Sequence, residues 1–261
     1  MSLVPRLFRR PEATTIDSSD HPRTEVLHDA PMAARITQCP ADHTMAVLVV
    51  LDGTSVPAPQ HYRVWMDALA RRGYRAIRTG ALTARQGALA EQAGLVCVQE
   101  LVLLEMLGRP ERQGVVTEHA AVRTRRMTSA DLSQAAVIDR AAFGERWWLN
   151  EPIIADICTA TPRYRARIAE NARGAMQGFL VSGRAGNVGY IQRLAVDPAQ
   201  HRKGVGTALL DDSFTWMRRA GVNRVYVNTH DDNAAALALY HRVGFHDLSE
   251  PLRVYEGTVG A

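Results

Sequence analysis

The sequence predicts an α/β protein built from two units. Segments of helical period alternate with short apolar strands rich in β-branched residues. One strand runs straight into a basic, glycine-punctuated loop that opens a helix. A stretch of turn-forming and charged residues, GRPERQG (108–114), divides the chain. The 261 residues suit one large domain or two small ones. With 46% hydrophobic and 22% charged residues, a packed core is expected and wholesale disorder is excluded.

Residues 1–31 are polar and proline-punctuated and read as a flexible arm. The first unit spans 32–107. In it, residues 46–51 read as a strand ending at Asp52-Gly53, and His61–Arg72 as a helix stopped by Gly73. YRAIRT (74–79) reads as a strand, and TARQGALAEQAG (83–94) as a helix from Thr83 to Gly94. LVCVQELVLLEM (95–106) reads as a strand or hairpin. After the 108–114 linker, the second unit spans 115–261. A strand is expected near Val122–Met127, then a helix opened by Thr128 and Asp131 in a capping-box arrangement and running to about Phe143. Helical stretches are expected around 151–160 and 163–172. GFLVSG (178–183) and VGYIQRLAV (188–196) form strands around a tight turn, followed by the glycine loop and a helix from about 204 to 220. VNRVYVNT (222–229) is a strand, DDNAAALALYHRVGF (231–245) a helix stopped by Gly244, and the tail a short strand or pair.

Two segments echo each other. WMDALARRGYRAIRTGALTARQGALAEQAGL (65–95) and SFTWMRRAGVNRVYVNTHDDNAAALALYHRVGF (213–245) share the order helix, glycine, strand, helix, glycine. Gly73 matches Gly221, Thr79 matches Thr229 after a two-residue slip, and Gly94-Leu95 matches Gly244-Phe245. Only the rear half of the second unit has such a counterpart. Opposite Gly204 and Gly206 the first copy carries Val56 and Ala58.

Several function classes drop out. The longest apolar runs, such as AVLVVL at 46–51, fall far short of the ~18 residues a membrane span needs. The opening MSLVPRLFRR has too short an apolar stretch for a secretory segment, so a cytoplasmic location without a membrane partner is expected. Cys39, Cys97 and Cys158 form no CxxC pair, and the histidines form no HxxxH or HExxH pattern, so no metal site is expected. The net charge of +4 favours an anionic partner. The basic side is almost all arginine, with Lys203 the single lysine. The short basic runs RTRR (123–126) and RYRAR (163–167) come without a helix-turn-helix or aromatic platform, so no nucleic acid is expected.

The stretch IQRLAVDPAQHRKGVGTALLDDSF (191–214) carries the chemistry. Glycines let successive N–H groups turn inward, the helix N-terminus adds partial positive charge, and Arg202 and Lys203 add charge-assisted contacts. Together they form an anion cradle suited to a pyrophosphate. GxxxxGK[ST] and GxGxxG are both absent.

VDPAQHRKGVGTALL resembles the acetyl-CoA loop of the GNAT N-acetyltransferase superfamily, with His201 where Gln or Arg is usual. VNTHDDNAAALALYHRVGF is similar to that superfamily's next signature, and the likeness covers about 122–258. The resemblance implies a mixed, strongly bent sheet with helices on both faces and acetyl-CoA as cosubstrate. It implies transfer of an acetyl group to a small-molecule or protein amine by direct attack in a ternary complex. A non-catalytic acyl-CoA-binding or partner-binding protein, or use of another acyl-CoA, is the alternative, and a homodimer stays open. By the same resemblance, main-chain groups of Leu194, Ala195 and Val196 meet the pantetheine, and an N–H near Val196 polarises the acetyl carbonyl. Arg202, Lys203, Gly204, Val205, Gly206 and Thr207 hold the pyrophosphate, and Asn233 helps fix the cofactor. Tyr240 protonates the departing thiolate. The carboxylate that family members often place before the loop is replaced by Gln192-Arg193, which are expected to shape the acceptor site, Arg193 facing an anionic group in it. Glu145, Asp231 or a water is left as base, or none if the amine arrives unprotonated, and Trp147-Trp148 as pocket lining. The first unit is expected to be a degenerate GNAT-like half-domain without cofactor.

Overall fold

The structure is a computed structural model that describes residues 25–51, 56–110 and 122–260. Residues 1–24 of the expected arm, the Asp52-Gly53 turn and most of the 108–114 linker lie outside the described residues. In chain order the elements are β1 (Glu25–Asp29), β2 (Met32–Gln38), β3 (Met45–Val50), α1 (Pro59–Ala70), β4 (Ala76–Thr79), α2 (Ala84–Gln92) and β5 (Val96–Leu107). Then follow β6 (Arg123–Arg126), α3 (Leu132–Trp147), α4 (Glu151–Ile157), β7 (Arg163–Glu170), β8 (Met176–Ala185) and β9 (Val188–Val196). The chain closes with α5 (Val205–Arg219), β10 (Arg224–His230), α6 (Ala234–Arg242), β11 (His246–Asp247) and β12 (Leu252–Thr258).

The chain folds as two compact units, and their make-up departs from a single cut at the linker. The first takes residues up to Leu103 together with Asn228–Asp232 and Leu248–Ala261; the second takes Leu104–Val227 and Asn233–Asp247. In the first unit β2 pairs antiparallel with both β1 and β3, and β3 pairs parallel with β4. The chain-end strand β12 fills the place between β4 and β5, antiparallel to both. Tyr62, Trp65 and Leu69 of α1 and Ala90 of α2 pack on Leu48, Ile77 and Tyr255 of the sheet. Strands β1 and β2 correct the reading of 25–38, whose start was assigned to the arm. Leu27, Met32, Ala34 and Ile36 alternate inward, which is strand period.

In the second unit the strand order is β10-β9-β8-β7-β6, with β9 and β10 parallel and the others antiparallel. The end of β5 pairs with β11 at Leu104 and Glu105. One core holds Ala135 and Ile138 of α3, Ile154 of α4, and Ile168, Phe179, Val181 and Ala195 of the sheet. On α5, Leu209, Leu210, Phe214 and Met217 are buried. The helix expected at 163–172 is the strand β7. Ala166 and Ile168 point inward, while Arg165 and Arg167 on the other side both meet Asp212 of α5 at 2.6 and 2.9 Å. Period two wins because the intervening arginines have the half-buried Asp212 carboxylate to satisfy. The α3 helix breaks at Gly144, where φ is +69°, close to the expected end at Phe143.

The echo between the units is visible in the backbone. Helices α1, α5, α2 and α6 each end in a glycine of positive φ: Gly73, Gly221, Gly94 and Gly244. At each, the same two hydrogen bonds close the helix. Gly73 N–H donates to Ala70 O and Tyr74 N–H to Leu69 O, as Gly221 does to Arg218 and Val222 to Met217. Gly94 and Leu95 repeat this on Glu91 and Ala90, as Gly244 and Phe245 do on His241 and Tyr240. The likeness also extends further forward than the rear half. The antiparallel run β1-β2-β3 precedes α1 as β7-β8-β9 precedes α5.

Candidate active site

The site is built where β9 loses a neighbour. β10 pairs with β9 at Val188, Gly189 and Tyr190, and the register goes no further. Immediately beyond, Gln192 is an extra residue on β9, since Ile191 faces Ser182 and Arg193 faces Val181. From there β9 keeps only β8, with Leu194, Ala195 and Val196 opposite Leu180, Phe179 and Gly178. Asp197 N–H donates to Gln177 O at 2.9 Å. By the alternation of an antiparallel ladder, Leu194 and Val196 therefore turn their N–H and C=O to the edge away from β8. Ala195 turns its own toward β8, so of the three expected main-chain contacts only two face the open edge. Its side chain is buried in the core.

The strand then passes a short turn, Pro198–Gln200, in which Asp197 accepts from Ala199 N–H at 2.9 Å. Gly204, at φ +80°, begins α5. No side chain caps this helix and no acidic residue lies in its first turn. Ala208 N–H makes the first intrahelical bond, to Gly204 O at 2.9 Å. The N–H groups of Val205, Gly206 and Thr207 thus have no partner in the helix and form the anion cradle. Arg202 and Lys203 are exposed beside it, Arg202 with φ +62°. Lys203 has partners within the loop. Its ammonium donates to Ala199 O at 2.9 Å and Gln200 Oε1 at 3.2 Å, bracing the turn before the loop. His201, where the usual pattern has another residue, brings Nε2 to 3.3 Å from Val196 O. Gly206 serves packing as well as access, because a Cβ there would lie 3.0 Å from Leu239 and 3.8 Å from Val196.

Asn233 caps α6, its Oδ1 accepting from Ala236 N–H at 3.1 Å. Tyr240 on the same helix is buried, edge-on to Phe245 at 5.6 Å between ring centres. Burial pushes its hydroxyl above the ordinary tyrosine range, and the nearby Arg193 charge opposes this. The phenol therefore keeps its proton at neutral pH.

Arg193 does not wait for an anionic acceptor. Its Nε and Nη2 each lie 2.7 Å from the two carboxylate oxygens of Asp139, which is fully buried. Nη2 also donates to Trp147 O at 2.9 Å, and the guanidinium lies 3.3 Å over the Phe143 ring. A cation on an inward strand face requires a buried partner, and the chain supplies it. Asp139 is the residue sequence reading missed. Its signal was an acid placed among the apolar positions of α3. Gln192 donates to Ile157 O at 3.2 Å. Trp147 and Trp148 stack under Arg146 and Arg140 at 5.3 and 5.2 Å. Glu145 is exposed and paired with Arg140 at 2.8 Å, and that hydrogen bond holds its carboxyl below the ordinary range. Asp231 accepts from Gln99 at 3.2 Å. Among the described residues no group of three His, Cys, Asp or Glu could hold a metal ion, and no helix is long and apolar enough to cross a membrane.

Residues 141–245, from the end of α3 through the Gly244 turn, match the acetyltransferase (GNAT) family. The chain carries a GNAT acetyltransferase domain. The [ribosomal protein bS18]-alanine N-acetyltransferase of Escherichia coli is 31% identical over 87 residues, 33% of this chain and 59% of that protein. The mycothiol acetyltransferase of Salinispora arenicola is 37% identical over 84 residues, 30% of this chain and 27% of that protein. The chain thus spans less than two thirds of the length of these relatives. Among solved structures, a tandem GNAT protein from the clavulanic acid biosynthesis pathway superposes with a TM-score of 0.60 at 12% identity, over 88% of this chain and 79% of that one. A GCN5-related N-acetyltransferase from Kribbella flavida gives 0.57 at 12% identity, over 91% and 90%. At such identity these two show the fold alone: a GNAT-like mixed, bent sheet with helices.

Proposed function

We propose that this GNAT domain moves an acetyl group from acetyl-CoA to an amine while both are bound, without a covalent acyl-enzyme. One observation carries the reading: β9 loses its β10 partner just before it runs into the uncapped N-terminus of α5. That pairs an open strand edge with an anion cradle, the two features that an amide-bearing pyrophosphate ligand requires. Acetyl-CoA supplies the acetyl group as an activated thioester. Leu194 offers its outward N–H and C=O groups to the pantetheine amides, as an added strand would. The Val196 N–H polarises the acetyl carbonyl oxygen. The N–H groups of Val205, Gly206 and Thr207, with the Arg202 charge, hold the pyrophosphate. Asn233 spends its Oδ1 on the helix cap and has its amide N–H groups for the cofactor. Tyr240, kept protonated by burial, gives its hydroxyl proton to the departing sulfur. The acceptor is a primary amine of a small molecule or a protein, and β9 supplies no carboxylate to deprotonate it.

CoA release from acetyl-CoA tests this with an alkyl monoamine, a polyamine, an aminoglycoside and a peptide with a free amino terminus. At least one amine should be turned over. Tyr240→Phe keeps the ring against Phe245 and removes only the hydroxyl. It is expected to lower kcat by about 10²-fold, the low end for a lost general acid, with KM for acetyl-CoA nearly unchanged. Full kcat in Tyr240→Phe would assign Tyr240 to packing. Binding of acetyl-CoA with no release by any amine would leave a cofactor-binding protein instead of an enzyme.

A further inference from the structure

The buried pair Asp139–Arg193 joins more than two side chains. Arg193 sits on β9 directly after the bulged residue Gln192 and directly before Leu194, at the start of the open edge. From there it reaches Asp139 on α3 in a two-point fork, takes Trp147 O and covers Phe143. Asp139 Oδ1 also accepts from Leu149 N–H at 2.7 Å. These contacts therefore tie both sides of the α3 break at Gly144 to β9. Phe143 and Leu149 at the ends of the bend pack on the core, while between them Trp147 and Trp148 are half-buried and Glu145 is exposed. The guanidinium is also near enough for its charge to act on Tyr240. A bidentate arginine fixes direction as well as distance, and a lysine or a lone hydrogen bond would not.

We infer that Asp139 and Arg193 are positioning residues for the acceptor side of the site: their ion pair clamps the Phe143–Leu149 bend against the start of the open β9 edge. The inference rests on the acetyl-transfer reading. The clamp occupies the one cation on this stretch of β9, so Arg193 is not free to hold an anionic group of the acceptor. The cofactor side, made of outward β9 backbone groups and the α5 N-terminus, is held by other contacts. Loosening the bend should therefore leave acetyl-CoA binding alone and weaken the acceptor.

The test uses the full chain. Asp139→Leu combined with Arg193→Leu replaces the pair by apolar side chains, which folded cores tolerate. Asp139→Asn is the milder variant, keeping an acceptor for Leu149 N–H while removing the charge, and it carries the test if the double variant does not fold. Hydrogen exchange across residues 143–150 is followed by mass spectrometry, acetyl-CoA affinity by calorimetry, and kinetics with the best amine of the panel. Exchange in the bend is expected to rise about tenfold or more, with acetyl-CoA affinity within about threefold of wild type. The acceptor KM is expected to rise roughly 10- to 100-fold with a smaller change in kcat, the scale of an ångström-level misplacement. Unchanged exchange, or a loss of acetyl-CoA affinity as large as the loss for the acceptor, would overturn the clamp. Failure of the wild type to bind acetyl-CoA would strike instead at the acetyl-transfer reading, and the exchange measurement separates the two.

Discussion

Asp139→Ala is expected to destabilise the second unit by about 3–5 kcal/mol, the range for removing one partner of a buried ion pair. Three hydrogen bonds are lost at once. Arg193 keeps its charge but loses both arms of the fork, and Leu149 N–H loses its acceptor at 2.7 Å. The Arg193 side chain is only 16% exposed and cannot recover full hydration. The double change Asp139→Leu with Arg193→Leu removes the charge along with its partner, so its loss should be much smaller, within roughly 2 kcal/mol. Urea unfolding followed by circular dichroism compares the two. A loss below about 1 kcal/mol for Asp139→Ala, typical of an exposed pair, would contradict the burial assigned to this interaction.

Gly204→Val should lower acetyl-CoA affinity more than about 100-fold while leaving the fold largely intact. The residue sits at φ +80°, a conformation that a β-branched side chain adopts only under strain of about 1–3 kcal/mol. Relief of that strain swings the first turn of α5 and disperses the N–H groups of Val205, Gly206 and Thr207. Each charge-assisted hydrogen bond to a phosphate is worth about 1.5–3 kcal/mol, so losing two or three exceeds the ~2.7 kcal/mol of a 100-fold change. Gly206→Val is a less selective probe. Its Cβ would press on Leu239 at 3.0 Å, one residue before Tyr240, and so disturb α6 as well as the cradle. Calorimetric titration of Gly204→Val checks the prediction, and unchanged affinity would remove the cradle from the cofactor site.

Features set by local chemistry were legible in the sequence. Gly73, Gly94, Gly221 and Gly244 each end a helix as expected, because a left-handed residue after a helix is a local demand that glycine meets. Thr83 caps its helix for the same kind of reason. The loop from Asp197 to Thr207 was readable because glycine, charge and strand-to-helix order all fall within a few residues. What depends on distant partners was not readable. The arginines of RYRARIAE suit the outer face of a helix as well as a strand, and only Asp212, 47 residues away from Arg165, decides for the strand. Arg193 looked like a free cation because its partner lies 54 residues back on a helix. The tail could be read as a strand, but its place between β4 and β5 of the first unit is set by pairing across the whole chain.

The contrast between the two helix N-termini bears most directly on the account. In the second unit α5 presents three N–H groups without intrahelical partners. In the first unit α1 begins at Ala58-Pro59, where proline has no N–H to offer. Ala58 N–H is taken by His61 Nδ1 at 3.1 Å and His61 N–H by Ala58 O at 3.0 Å, so Gln60 alone is left. A single N–H does not make a phosphate cradle. The decisive measurement is a calorimetric titration of the wild-type chain with acetyl-CoA, read for stoichiometry. One molecule bound per chain, with the signal lost in Gly204→Val, is the predicted result. Two molecules per chain, or none, would contradict it.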